Sequence, residues 1–272
     1  MTRLVTEWIG EPENDLEKYN AKLIKTTGMD ISRLAFRAAG IPEMSKGAMG
    51  SHKVAVIRVT AGEGVIGSFA ESVAAVLLHM GAEVFIPSAC DVAGMYEAAS
   101  KGADILFMAD DNRFVALNTR SGAIAENDYA TACGYVAALS AMAGGLAGRE
   151  VLLLGFGRLG KRALKCLLAE GAVVSLYDCN TEQTTSLRDG RVKLLPQMPL
   201  PLSGLVIDAT NTGGYLTVHD LTDGVMIAAP GVPLSLDDEA YAIHQGSVVH
   251  DPLHTGVAVM LALALKNKLA EI

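Results

Sequence analysis

The chain has little that would fit it to a membrane or a nucleic acid. No stretch approaches the roughly 18 unbroken apolar residues needed to span a bilayer. There is no basic run, and the net charge is −8, which argues against nucleic acid and anionic membrane as partners. Cysteine is sparse: Cys90, Cys133, Cys166 and Cys179 are scattered, without a CxxC pair. Met1 to Gly10 lacks a cationic segment followed by an apolar core. Reduced thiols and a cytoplasmic location are therefore expected. The histidines are dispersed as well. His250 and His254 are four apart, but Pro252 between them argues against a shared helical face. Both are assigned to loop or surface, and no metal site is expected. Internal repeats and low-complexity tracts are also lacking. What remains is a chain of 272 residues, half of them apolar, enough for one large domain or two of ordinary size.

The most informative stretch is Glu150 to Asp178. Val151 to Leu154 is an uninterrupted apolar run, as in a strand buried on both faces of a parallel sheet. Gly155, Gly157 and Gly160 follow in G-x-G-x-x-G spacing. The first permits a tight turn, the second lets backbone approach a pyrophosphate, and the third allows close helix–strand contact. From Arg158 the apolar residues Leu159, Ala163, Leu164, Leu167 and Leu168 form a helical stripe. The N-terminus of that helix would aim free N–H groups at phosphates. Val173 to Tyr177 reads as the next strand, and Asp178 ends it where an acid accepts hydrogen bonds from an adenine-ribose diol. A carboxylate there repels a 2′-phosphate, and Cys179 and Asn180 supply no cation, so NAD is expected rather than NADP. Gly155, Phe156, Gly157, Arg158, Leu159, Gly160 and Asp178 are the expected cofactor contacts on this side.

Before this unit the pattern is α/β. Pro12 suits a first helical position, Asp30 can cap a second helix, and Gly40 with Pro42 stop it. Lys53 to Val59 reads as a strand, followed by the glycine-rich turn from Thr60 to Phe69, whose backbone would suit a substrate carboxylate. Asp91 can cap a helix to Ser100, and Ile105 to Ala109 is a strand ending in Asp110-Asp111-Asn112. That triplet fits either a ligand site at a strand's carboxyl end or a solvated loop. Phe114 to Leu117 and Ala123 to Ala125 form a hairpin, and Asn127 to Met142 is a long helix of small residues. After Asp178 come a short helix over Thr181 to Arg188 and a buried strand, Leu205 to Asp208. The loop behind that strand would put Thr210 and Asn211 at the nicotinamide half. Pro230, and Asp251 at the mouth of the cleft, complete the expected cofactor set. The fold expected is α/β with two domains. Residues 1–126 form a smaller N-terminal substrate domain and 127–149 a connecting helix. Residues 150–272 form a Rossmann doubly wound parallel sheet with a closing C-terminal helix.

Val59-Thr60, Gly62, Gly64 and Ile66-Gly67-Ser68-Phe69, taken with Met108-Ala109-Asp110-Asp111-Asn112, resemble signatures of the pyrrolysine synthase family. The resemblance continues through Thr27-Gly28-Met29-Asp30, Pro230-Gly231-Val232-Pro233 and Asp251-Pro252-Leu253. It departs at the extreme N-terminus and at Asp251, where the family pattern leads one to expect glutamate. The resemblance implies NAD-dependent oxidation of the terminal amine of L-lysine-Nε-(3R)-methyl-D-ornithine, with ammonia release and cyclisation to pyrrolysine. It also implies substrate contacts from Leu4, Val5, Val65, Phe69, Asp110 and Asn112, and Asp110 as the residue at the chemistry.

Hydride leaves a carbon bearing a free amine, not an ammonium, so a proton must first be lost. Partial burial and the neighbouring Asp111 would raise the Asp110 pKa and let it act as a base. The expected partner is a small molecule, and a homodimer is left open. Two other readings share the fold: a different NAD-dependent amino- or imino-acid dehydrogenase, and a non-catalytic NAD sensor.

Overall fold

A computed structural model describes residues 12–65, 67–185, 187 and 189–266. Leu4 and Val5, expected against substrate, lie outside the described residues, as does the Leu4 to Ile9 segment expected to order over the cleft.

The strands form two sheets. The first contains β1 (Lys53–Ile57), β2 (Glu83–Phe85), β3 (Ile105–Ala109), β4 (Phe114–Asn118) and β5 (Ile124–Glu126), in the order β2-β1-β3-β4-β5. β1 runs parallel to β2 and β3, whereas β4 and β5 are added antiparallel through the expected hairpin. The second contains β6 (Glu150–Leu154), β7 (Val173–Tyr177), β8 (Val192–Leu194), β9 (Leu205–Asp208), β10 (Met226–Ala228) and β11 (Val248–Val249). Its order is β11-β10-β9-β6-β7-β8, parallel throughout. Read in its own numbering this is the doubly wound order, with the chain reversing direction between β6 and β9 and leaving a crevice at their carboxyl ends.

The helices are α1 (Pro12–Thr27), α2 (Ile31–Ala39), α3 (Lys46–Met49), α4 (Phe69–His79), α5 (Asp91–Ser100), α6 (Asn127–Ala143), α7 (Arg158–Ala169), α8 (Asp238–His244) and α9 (His254–Leu265). Local chemistry sets several boundaries. The Asp30 carboxylate accepts from Arg33 N at 2.8 Å, and Gly40 takes the left-handed conformation that stops α2. Asp91 does not cap α5 as expected. It is the first residue of that helix, with φ +53°, and its carboxylate turns back to accept from Thr60 N at 2.8 Å and Thr60 Oγ1 at 2.5 Å. The helix expected over Thr181 to Arg188 is a 3₁₀ turn, Thr181–Thr184.

The expected closing C-terminal helix bears on both halves of the chain. The strands separate near residue 150, but α9 returns from the second half to pack on α2, α4 and α6 and on β4 and β5. Asn118 Nδ2 donates to the Ala264 carbonyl at 3.0 Å. α9 is apolar around nearly its whole circumference because helices and sheet enclose it on every side. Its closest approach is to α6, where a Cβ on Gly134 would lie 2.5 Å from Thr255 Cγ2. Small residues on α6 are thus what let the two helices touch. Cys133 and Cys166, scattered in the sequence, meet in this core as free thiols of α6 and α7 with their sulfurs 2.9 Å apart.

Candidate active site

On the dinucleotide side, each glycine of the β6–α7 turn has a distinct physical reason. Gly155 has φ +86°, and a Cβ there would lie 2.9 Å from the Ala209 carbonyl oxygen. A Cβ on Gly160 would lie 2.0 Å from Gly155 O, so the helix can approach the strand only as glycine. At Gly157 a Cβ would meet nothing within 4 Å. That position faces open space at the N-terminus of α7, where N–H groups and the helix dipole favour a phosphate. Gly155, Gly157, Arg158 and Leu159 line the cleft, while Phe156 is buried beneath it.

Asp178 also lines the cleft. Its carboxylate accepts from Phe156 N at 2.5 Å and from Asn180 N at 2.7 Å, so it closes the glycine turn as well as presenting an acceptor at the expected ribose position. Thr210, Asn211 and Pro230 line the neighbouring loops. The Thr210 hydroxyl donates to Asp208 Oδ1 at 2.7 Å, and Asp208 Oδ2 accepts from Ser235. A Cβ on Gly231 would lie 2.0 Å from Thr210 O, which shows how tightly the two loops are packed.

Asp251, expected at the mouth of the cleft, borders it, with its carboxylate engaged by the protein's own donors. It is buried, with Oδ1 accepting from the N–H groups of Leu253 (2.7 Å) and His254, and Oδ2 from Thr255 N at 3.1 Å. The Tyr135 hydroxyl donates to its backbone carbonyl at 2.6 Å. Burial pushes the Asp251 pKa up, but His254 beside it and the N–H donors of the α9 terminus outweigh burial and hold it below the usual carboxylate range. His250 and His254, expected in loop or surface, are mostly enclosed. His250 Nδ1 lies 2.8 Å from Ala229 O, and His254 stacks on Tyr19 at 5.5 Å between ring centroids.

Across the cleft, the turn from Thr60 to Phe69 was expected to receive a substrate carboxylate. The protein supplies a carboxylate of its own: Asp111 Oδ2 accepts from Glu63 N at 2.8 Å. A Cβ on Gly62, whose φ is +77°, would fall 2.0 Å from that same oxygen. Asp111 thus clamps the turn instead of perturbing Asp110. Asp110 is exposed at the end of β3, and its Oδ1 accepts from Asn112 N and Arg113 N, both at 2.7 Å. These two donors hold its carboxyl below the ordinary range, Arg113 first and Asn112 second. The expectation of a raised pKa is overturned, because burial is slight and the backbone donors favour the charged form. Val65 and Phe69 line the cleft beside Asp110, with Phe69 edge-on to Phe114 at 5.3 Å. Asn112 does not line it.

The cleft between these walls has a volume of about 760 Å³. Its charged lining comprises Asp110, Asp111, Asp128, Asp178 and Asp251 against Arg58 and Arg158, and Arg58 is already paired with Glu71 at 2.9 Å. Thr131, Tyr135 and Asp128, all on α6, were not anticipated as lining. The signal available for them was an acid in the first turn of an otherwise small and apolar helix. Among the described residues, no group of three or more His, Cys, Asp or Glu side chains converges as a metal site would require. No helix among the described residues is long and apolar enough to cross a membrane.

A doubly wound parallel sheet, a glycine cradle at a helix N-terminus and an acid at the end of the next strand, facing a second α/β layer, define a Rossmann-type dehydrogenase that works with a nicotinamide dinucleotide. Among solved structures, the quinate dehydrogenase from Corynebacterium glutamicum in complex with NAD shares this fold. Its TM-score is 0.50 at 14% identity, over 78% of this chain and 93% of that one. The family is more specific. Residues 9–125 match the model of the N-terminal domain of the pyrrolysine biosynthesis protein PylD. The chain is 30% identical over 264 residues to the pyrrolysine synthase of Methanosarcina acetivorans, covering 96% of this chain and 98% of that protein. It is also 30% identical over 249 residues to the enzyme of that name from Methanosarcina barkeri, covering 90% and 91%. The chain belongs to the pyrrolysine synthase family.

Proposed function

We propose that this enzyme uses NAD to oxidise the terminal amine of L-lysine-Nε-(3R)-methyl-D-ornithine, releasing ammonia and a semialdehyde that closes to pyrrolysine. The observation that carries the reading is the acidic cleft, in whose lining Asp110 stands exposed and held in its charged form. This isopeptide carries more amino groups than carboxylates and is a net cation at neutral pH, so an excess of carboxylates complements it. The names of the relatives supply the pathway, and the charge of the cleft supports the substrate.

The preference for NAD rests on Asp178 at the end of β7, followed by Cys179 and Asn180, none of them a cation for a 2′-phosphate. When bound, the nicotinamide ring supplies the hydride acceptor. The protein's part is to place the amine-bearing carbon against it. Asp110 does this by holding the ammonium. Its depressed pKa leaves it ionised and makes it a poor proton acceptor at neutral pH, so the ammonium proton passes to solvent at this exposed site before hydride leaves. Water then adds to the oxidised carbon and ammonia departs. The free α-amine of the same molecule attacks the aldehyde, and this intramolecular closure needs little further help. The direct test is NADH formation by the purified protein with the isopeptide, compared with L-lysine as substrate or NADP as oxidant. Appearance of NADH only with the isopeptide and NAD is expected. Equal rates with L-lysine would move the protein to a general amine dehydrogenase, and NADH-free binding of NAD would make it a sensor.

A further inference from the structure

One ion pair crosses from the dinucleotide wall of the cleft to α6. Arg158, the first residue of α7, places its guanidinium 2.6 Å from Asp128 Oδ2, in the first turn of α6. The two ends are unlike. Arg158 is 53% exposed and rises beside Gly157, whose missing Cβ leaves the phosphate cradle open, whereas the Asp128 side chain is only 11% exposed. Glu126, two residues earlier, is held by both Arg113 at 2.5 Å and Arg162 at 3.0 Å. Among the described residues, Asp128 has Arg158 as its ion-pair partner. An enclosed carboxylate that loses its counter-ion pays a large desolvation penalty unless another cation replaces it.

We propose that Arg158 is shared between Asp128 and the dinucleotide pyrophosphate, and that its transfer to the phosphates opens Asp128 to a substrate ammonium. The inference rests on the cationic substrate proposed above and adds a second carboxylate to its recognition, besides Asp110. Before the dinucleotide binds, Arg158 occupies the amine position at Asp128. Afterwards, the phosphates offer the guanidinium two charges at a helix N-terminus, and Asp128 takes an amino group of the substrate in its place. The two ligands therefore bind cooperatively. By linkage, each tightens the other by the same factor, here about tenfold, within the usual span for coupled sites.

Calorimetric titration with the isopeptide, with and without saturating NADH, measures this coupling without turnover. Wild type should bind the isopeptide about tenfold more tightly with NADH present. Arg158→Gln should bind it without NADH as tightly as wild type does with NADH, and gain nothing when NADH is added. Asp128→Asn should bind the isopeptide weakly in both states but bind NADH more tightly than wild type, because Arg158 is then released. Asp128→Glu should restore part of the coupling. Coupling of wild-type size in Arg158→Gln would overturn the proposal. So would unchanged or weaker NADH binding in an Asp128→Asn protein with a normal melting temperature. If the isopeptide fails to bind wild type, the substrate reading falls, and NADH affinity in Asp128→Asn still decides whether Arg158 is shared.

Discussion

The two walls of the cleft are built by different physics. The dinucleotide wall is backbone: at Gly155 and Gly160 the strand, turn and helix approach so closely that no side chain fits, with contacts of 2.9 and 2.0 Å to an added Cβ. The substrate wall is held by side chains. Asp111 clamps Glu63 N, Asp91 clamps Thr60, and Asp110 caps the β3–β4 turn. Steric fit is intolerant of any added atom. A carboxylate clamp gives way more gradually and can be exchanged for another group, which suits the wall that must discriminate a substrate.

The largest contrast should appear within the glycine turn itself. Gly160→Ala forces a methyl group into Gly155 O, where strand and helix backbone must both shift. We expect a loss of about 1 to 3 kcal/mol or more in stability and no measurable NADH binding. Gly157→Ala adds its methyl to open space, so its melting temperature should stay near wild type while NADH affinity falls. A Gly160→Ala protein that binds NADH normally would break the steric account of this wall.

On the opposite wall, Asp110→Asn is next in size. Asparagine preserves an acceptor for Asn112 N and Arg113 N, so the turn should persist, but the charge facing the substrate amine is gone. KM for the isopeptide should rise roughly ten- to hundredfold, the range of a lost charge-assisted hydrogen bond, with NADH affinity unchanged. A fall in kcat alone, with KM unaltered, would return the residue to the role of base. Gly62→Ala should do less. Its methyl collides with the mobile end of the Asp111 side chain and not with backbone, though φ +77° adds strain. A rise in KM of roughly tenfold, again without effect on NADH, is expected from loss of that clamp.

These contrasts explain how much could be read from the chain alone. Gly155 and Gly160 were legible because their spacing follows from a local steric requirement, and Gly157 and Asp178 because they fall at fixed offsets within the same βαβ unit. Hairpin β4–β5 and the cap at Asp30 were legible for the same reason. The Asp111 clamp was not, since its partner lies 48 residues earlier and nothing nearby marks an acid as satisfied. This also reversed the pKa expected for Asp110, as Asp111 is turned toward Glu63 and the nearest donors are the N–H groups of Asn112 and Arg113. His254 was misplaced because it opens α9, which runs into the interior, and an all-round apolar helix announces burial without saying against what.

The smallest effect expected is on pH dependence at the substrate wall. Asp110 and Asp91 both have depressed pKa values, Asp110 through the Arg113 and Asn112 N–H donors and Asp91 through the Thr60 hydroxyl and N–H. A group depressed in the folded state contributes fully above its ordinary pKa, near 4 for aspartate, and loses that contribution as pH falls through the folded value. Neither should titrate between roughly pH 5 and 8. Across that interval kcat/KM should simply climb with pH as more substrate amine becomes free. An inflection near pH 6 would show that a cleft carboxylate or histidine takes the proton.

The most direct measurement is mass spectrometry of the product formed from NAD and the isopeptide bearing ¹⁵N only at its terminal amine. The account predicts a product lighter than the substrate by one ammonia and two hydrogens, with the label recovered entirely as free ammonium and NADH formed in equal amount. A product that retains the label, or one formed without matching NADH, would contradict it.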